Sequence, residues 1–192
     1  MNELKKRYEA IVIGSSAGGL AALSAVLSNL PEYFSIPVIA VQQRTKTQNE
    51  LLEELLQHKC KIKIKQAEDK EKIQNGCVYF APPDYHLLIE ENRTFSLSID
   101  ESEYFNRPSI DVLFETAAKV YKNNLIGIIL TGSNQDGAEG IKKIKKQGGT
   151  TIAQNPTTAQ FPVMPQAAID TGCIDYILDT EEIQNWLLKN NK

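Results

Sequence analysis

The stretch Tyr8-Glu-Ala-Ile-Val-Ile-Gly-Ser-Ser-Ala-Gly-Gly-Leu20 decides the fold. Its apolar run ends in glycine, a serine pair follows, and two more glycines turn the chain. Leu20, Leu23, Leu27 and Leu30 then recur at helical spacing until Pro31. A buried strand that passes through a glycine turn straight into a helix opens a β-α-β unit, and such units build a parallel sheet. The same turn throws a serine hydroxyl out at the carboxyl edge of the sheet, where nucleophilic hydrolases keep theirs.

Outward from this turn, strand and helix patterns alternate. Residues 38–41 (Val-Ile-Ala-Val) form the next buried strand, and Leu51, Leu52, Leu55 and Leu56 share one face of a helix running to about Lys59. Cys60, Ile62 and Ile64 alternate with lysines, as on an edge strand. Residues 77–81 are another strand, stopped by Pro82-Pro83. Residues 86–90 and 94–99 face each other across Glu91-Asn92-Arg93, which predicts an antiparallel hairpin. Ser109 caps a helix that turns Ile110, Leu113, Phe114 and Ala117 inward, with Asp111 in its first turn.

Residues 125–130 are apolar at nearly every position and predict a central strand covered on both faces. A helix after Asp136 stops at Gly148-Gly149, and residues 151–153 and 174–178 are the last strands. Thr180-Glu-Glu opens a closing helix that buries Ile183, Trp186 and Leu187. The expected class is α/β: a doubly wound, mostly parallel sheet with helices on both faces and an antiparallel β-hairpin excursion.

A chain of 192 residues is long enough for one well-buried domain and short for two, so residues 1–192 read as a single domain. A net charge of −3 with both signs interspersed argues against nucleic acid or an anionic membrane as partner. Cys60, Cys77 and Cys173 are widely spaced and contain no CxxC pair, so they read as core residues of a reduced, cytoplasmic protein rather than disulfide or metal ligands. The charged N-terminus leads into no stretch long enough for a signal sequence or a membrane span, so no membrane insertion is expected.

The turn Gly14-Ser-Ser-Ala-Gly-Gly19 invites a phosphate-binding reading, since it aims backbone N–H groups at an anion. It fails both common fingerprints. Position 16 is serine where G-x-G-x-x-G needs glycine, and Leu20-Ala21 replaces the Lys-Ser/Thr that follows a Walker glycine. The alternatives are a nucleophile at Ser15 or Ser16, or a serine that only caps the helix. A second loop, Thr131-Gly-Ser-Asn-Gln-Asp-Gly137, follows another buried strand and offers the carboxylate that a serine nucleophile needs.

Six segments in order resemble the catalytic domain of the bacterial chemotaxis protein-glutamate methylesterase family. They are Gly14-Ser-Ser-Ala-Gly-Gly19, Tyr79-Phe-Ala-Pro-Pro-Asp-Tyr-His86, Arg107-Pro-Ser-Ile-Asp111, Ile129-Leu-Thr-Gly-Ser-Asn-Gln-Asp-Gly137, Ile152-Ala-Gln-Asn155 and Met164-Pro-Gln-Ala167. The resemblance runs from Tyr8 to the last helix. It implies Ser16 as nucleophile and Asp136 as the triad aspartate. It also implies hydrolysis of glutamate methyl esters on the cytoplasmic helices of methyl-accepting chemoreceptors, releasing methanol, with glutamine deamidation in some members. The family uses no metal or organic cofactor. Members commonly carry a receiver domain ahead of the esterase domain. Only about seven residues precede the first strand here, well short of the roughly 50 a domain needs, so no receiver domain is expected.

The resemblance breaks at one position. The family histidine follows the second strand in a Gln-His pair, and here the strand runs into Gln42-Gln43-Arg44. Gln43 stands in the histidine position, and an amide has no basic lone pair with which to take the serine proton. Two histidines are present. His86 follows a strand whose end lies on the same sheet edge as Ser16 and Asp136, and is the candidate substitute base; it also matches a family segment. His58 closes a leucine-rich helix, where an imidazole complements the dipole.

Arg107 either binds a substrate carboxylate or braces its loop. Ser133 stands where many members carry methionine beside the oxyanion hole, and its backbone N–H can donate whatever its side chain. Met164 either shapes the pocket rim or packs inside. Lys142, Lys143, Lys145 and Lys146 flank inward Ile141 and Ile144 as a solvated face. Two readings follow: a hydrolase of receptor-type glutamyl esters through Ser16, or a catalytically silent member that serves as a signalling binding module.

Overall fold

The structure is a computed structural model that describes residues 6–43, 52–101 and 107–191. Seven strands form one parallel sheet: β1 (Ala10–Ser15), β2 (Val38–Gln42), β3 (Lys63–Gln66), β4 (Cys77–Phe80), β7 (Leu125–Ile129), β8 (Thr150–Gln154) and β9 (Tyr176–Leu178). Their spatial order is β3-β4-β2-β1-β7-β8-β9. Winding runs outward from β1 in both directions, first to β2 and later to β7, which makes the carboxyl end of β1 a topological switch point. The hairpin of β5 (His86–Ile89) and β6 (Phe95–Ser98) pairs antiparallel outside this sheet. The expected doubly wound sheet with a hairpin excursion is the fold observed.

Burial explains the strand sequences. β1, β2 and β7 are buried at every position, because helices cover both faces. One face packs α1 (Gly19–Leu27), α2 (Leu52–Gln57) and α6 (Thr180–Asn190) over a core that includes Leu23, Leu27, Phe34, Leu56, Ile183 and Leu187. The other packs α3 (Ile110–Tyr121), α4 (Ala138–Lys146), α5 (Val163–Asp170) and the hairpin around Phe95, Leu113, Phe114 and Ile144. Each such side chain, fully buried, contributes roughly 1.5–3 kcal/mol. The edge strands read differently: Lys63 is exposed on β3, and Tyr176 and Ile177 are exposed on β9.

Several local expectations shift. The first helix ends at Leu27, short of Pro31. The expected start of the second helix at Leu51 lies outside the described residues, and its last turn ends at Gln57. Cys60 and Ile62 pack in the core but precede β3. Ile99 is exposed beyond the end of β6. The closing helix does open at Thr180, capped by Asp179, with Glu182 reaching back to accept from the Asp179 N–H at 2.9 Å. Trp186 is only partly buried, tilted between Tyr8 and Tyr176, while the unforeseen Gln184 goes inside to donate to the Ala25 carbonyl. Helix α5 was not apparent in the sequence at all. Its Pro165 breaks the propensity pattern, yet it lies in the first turn, where no N–H is needed.

Two glycines bring α3 against the sheet edge. A Cβ at Gly14, on β1, would overlap Ile110, and a Cβ at Gly137 would lie 2.8 Å from Ile110 Cγ2. Gly137 also holds φ +97°, which a side chain resists. Ile110, fully buried, fills the niche the two leave open. Replacing Gly14→Ala should therefore overpack this niche and cost about 2 kcal/mol of stability, read as a lower urea midpoint with unchanged slope.

Candidate active site

Three loops at the carboxyl edge carry the residues of interest. Ser16 follows β1, Gln43 follows β2, and Asp136 lies in the loop between β7 and α4. The ladder holds the first two in register. Ser15 lies opposite Gln42, the Gln43 N–H donates to the Ser15 carbonyl at 2.9 Å, and the Ser16 N–H donates to the Thr131 carbonyl at 3.0 Å. The side chain of Gln42 then cinches the turn. It accepts from Ser15 Oγ at 2.7 Å and donates through Nε2 to the carbonyls of Ser16 and Gln43. Ser15 is thereby fully buried and engaged, which leaves Ser16 as the serine at the tip.

Ser16 is half-buried and lines a groove of about 780 Å³ together with Leu20, Leu55, Lys59, Gln160 and Phe161 among others. Among the described residues its hydroxyl meets no hydrogen-bond partner, and no acceptor meets the N–H groups of Ala17, Gly18 or Ser133. The turn is a poor anion cradle for a nucleotide, since the Ser16 and Gly19 N–H groups are spent on Thr131 and Ser16 carbonyls. Among the described residues no group of three or more His, Cys, Asp and Glu could hold a metal ion.

Asp136 is buried and its carboxylate accepts from four donors. Ile110 N–H reaches Oδ2 at 2.8 Å and Asp111 N–H reaches Oδ1 at 3.0 Å, so the open first turn of α3 points at it. Ser109 Oγ adds a third at 3.2 Å. The fourth is Gln43, whose Nε2 donates to Oδ2 at 2.6 Å. Because a carboxylate only accepts, the NH₂ of Gln43 must face it, and Oε1 is left to accept from Asn134 Nδ2 at 2.7 Å. Asn134 Oδ1 in turn accepts from the Asp136 N–H at 3.0 Å. Gln43, Asn134 and Asp136 thus close a ring of hydrogen bonds.

Asp111, beside Asp136, accepts from the Gly140 N–H at 2.6 Å and so ties α4 to α3. Burial pushes its carboxyl above the usual carboxylate range, and the Asp136 charge adds to this while the Gly140 bond opposes it.

His86 lies elsewhere in this network. Its Nδ1 accepts from the Ser109 N–H at 3.1 Å, so Nε2 carries the proton and donates to the Asp100 carbonyl at 2.9 Å. Both ring nitrogens are occupied, which leaves no lone pair for the substitute-base role it was a candidate for; the imidazole instead supports the residue that caps α3, as the alternative support role has it. Arg107 donates to the Ile99 carbonyl at 2.6 Å and braces the end of the hairpin. Met164 packs inside, buried against Gly132, where an added Cβ would lie 2.6 Å from its Cε. Ser133 is exposed, and His58 is exposed just past α2. Of the four lysines on α4, Lys142 pairs with Glu139 and Lys145 with Asp175.

Sequence reasoning missed Asn134 and the clasping role of Gln42. Asn134 did carry a signal, because an asparagine two residues before another backbone N–H forms an Asx turn.

Burial lowers the pKa of His86 from the ordinary 6.5; the bond to Asp100 opposes this and the Arg107 charge adds to it. The native state therefore binds fewer protons than the unfolded chain below that value. This part of the stability is complete above about pH 6.5 and declines as pH falls toward the depressed pKa. Asp111, whose carboxyl is raised to about 7, contributes with the opposite sign in the same window, so the difference between two proteins is read. In urea unfolding between about pH 7.5 and pH 5, His86→Gln, which cannot titrate, should lose less stability than the parent chain as pH falls.

Comparison with known proteins places the chain. Residues 11–187 match the family model described as CheB methylesterase. A Leptospira interrogans protein is 52% identical over 182 residues, covering 95% of this chain and 94% of its own length; it bears the name protein-glutamate methylesterase/protein-glutamine glutaminase with provisional status. The Thermotoga maritima protein-glutamate methylesterase/protein-glutamine glutaminase is 37% identical over 182 residues, covering 93% of this chain and 53% of its own length. The crystal structure of the Thermotoga maritima CheB methylesterase catalytic domain superposes with a TM-score of 0.91 at 34% identity, covering 95% of this chain and 98% of that one. On the match across nearly its whole length and the shared fold, the chain belongs to the CheB methylesterase family, whose named members are carboxylic ester hydrolases.

Proposed function

We propose that the protein acts in the cytoplasm on glutamate methyl esters, and on the corresponding glutamine amides, of chemoreceptor-type proteins, with Ser16 as nucleophile. The observation that carries this reading is the exposed edge of the elbow. The Ser16 hydroxyl is unengaged among the described residues, it opens into a largely apolar groove, and unspent N–H groups of Ala17 and Gly18 flank it.

In the reaction Ser16 Oγ attacks the ester carbonyl carbon, and the carbonyl oxygen takes up negative charge. The C–O bond to the methoxy group breaks, and methanol leaves with a proton. Water then hydrolyses the acyl-serine to release the glutamate carboxylate and restore the hydroxyl. Free N–H groups beside the turn supply the electrostatic part of this chemistry.

Gln43 limits it. The serine proton passes to water, because neither oxygen nor nitrogen of a carboxamide is basic near neutral pH. In a subtilisin-type triad, losing the histidine costs on the order of a millionfold in turnover, and roughly a thousandfold over water survives through binding and oxyanion donors. Turnover here belongs to that lower range. Methanol release from a methylated receptor fragment should be slow, and Ser16→Ala should slow it further, to the remainder that binding and oxyanion donors give by themselves. Equal release by the two proteins would sink the nucleophile assignment.

The closed ring of Gln43, Asn134 and Asp136 favours a second reading, in which the groove binds the receptor segment and no hydrolysis follows. Titration calorimetry with the methylated fragment, run beside the methanol assay, separates the two. Binding with no release by either protein supports the module; Ser16-dependent release removes it.

A further inference from the structure

Gln43 does not stand alone in its role, because its carboxamide is held at both ends. Nε2 is fixed by Asp136 and Oε1 by Asn134 Nδ2, at 2.6 and 2.7 Å. Asn134 is fixed in turn, since its Oδ1 caps the Asp136 N–H within the same short loop. Its NH₂ group is therefore aimed at residue 43 by a bond that does not depend on what residue 43 is. The Ser16 hydroxyl has no such tether among the described residues.

We propose that Asn134 is a positioning residue that keeps the side chain at position 43 turned to Asp136 and unavailable to Ser16, so that two residues rather than one determine the missing base. An imidazole placed at position 43 has one N–H for Asp136 and one lone pair. Two donors compete for that lone pair: the Ser16 hydroxyl, untethered among the described residues, and the pre-aimed Asn134 amide. The pre-aimed donor loses less freedom in binding and wins. A lone pair that accepts from Asn134 is closed to the serine proton. The same bond favours the neutral ring and lowers its pKa, since hydrogen bonding to the neutral form opposes protonation. Gln43→His alone therefore leaves a base in place but blocked, and removing the Asn134 donor unblocks it.

The kinetic half of this inference rests on Ser16 being the nucleophile proposed above; the spectroscopic half does not. The test compares Gln43→His with Gln43→His/Asn134→Ser. Serine retains a short oxygen that can cap the Asp136 N–H, and it carries no NH₂ to reach residue 43. If the serine variant does not fold, Asn134→Ala in the same background is read identically.

The imidazole introduced at position 43 is titrated by ¹⁵N NMR, with His58 and His86 assigned by their own substitutions. Its pKa should rise by about one unit when Asn134 is replaced. Ser16-dependent methanol release should rise roughly tenfold in the same comparison, because more of the ring is free to accept the serine proton. An unchanged or lower pKa in the double variant overturns the inference. A raised pKa with no methanol from either protein leaves the role of Asn134 standing and overturns Ser16 as nucleophile.

Discussion

The carboxylate of Asp136 is the fixed point around which the sheet edge is arranged. A carboxylate removed from water costs several kcal/mol unless its oxygens are met, and four donors meet it. Hydrogen bonds to a charged group are worth about 1.5–3 kcal/mol each, and a helix N-terminus adds up to about 2 kcal/mol in partly buried geometry. The seat therefore holds only while α3 points its first turn at the β7 loop. Gly14, Gly137 and Ile110 set that approach, and His86 steadies Ser109, which donates to the carboxylate and caps the helix.

The chemistry follows from what the fourth donor is. An imidazole in that place would hold one nitrogen to Asp136 and carry a basic lone pair on the other, which is the division of labour a triad needs where no second donor fills that lone pair. A carboxamide offers a donor and an acceptor but no base, and here the acceptor is already spent on Asn134. On the function proposed above, binding and proton transfer are thus separated in this molecule. The groove, the elbow and N–H groups that meet no acceptor among the described residues lie beside Ser16, while the side chain bonded to Asp136 is an amide rather than a base.

Most of the fold was legible in the sequence, because the buried strands are short apolar runs with glycine or proline at their ends. β1, β2, β4 and β7 lie where periodicity places them, within a residue or two. Helix α5 escaped because its period is masked by Pro165 and by exposed Val163 at its start. At the site, the residues in register with known motifs could be named, but their partners could not. His86 and Arg107 are polar residues near a sheet edge in sequence. Whether each points at substrate or at a backbone carbonyl depends on the hairpin, and no local pattern encodes that. Asn134 went unread for the same reason: its Asx turn is local, but its bond to Gln43 spans 91 positions of chain.

The β1–β2 register has a consequence for how such a protein can change over generations. Residue 43 is placed by its backbone, through the N–H that bonds to Ser15, and the preceding glutamine ties down both neighbouring carbonyls. None of these bonds involves the side chain at position 43. The scaffold asks of that side chain only a donor for Asp136, which an imidazole and a carboxamide both supply, so a lineage can exchange base for amide there without first passing through an unfolded ancestor. Loss of chemistry and loss of structure, which usually travel together, are separable at this one position.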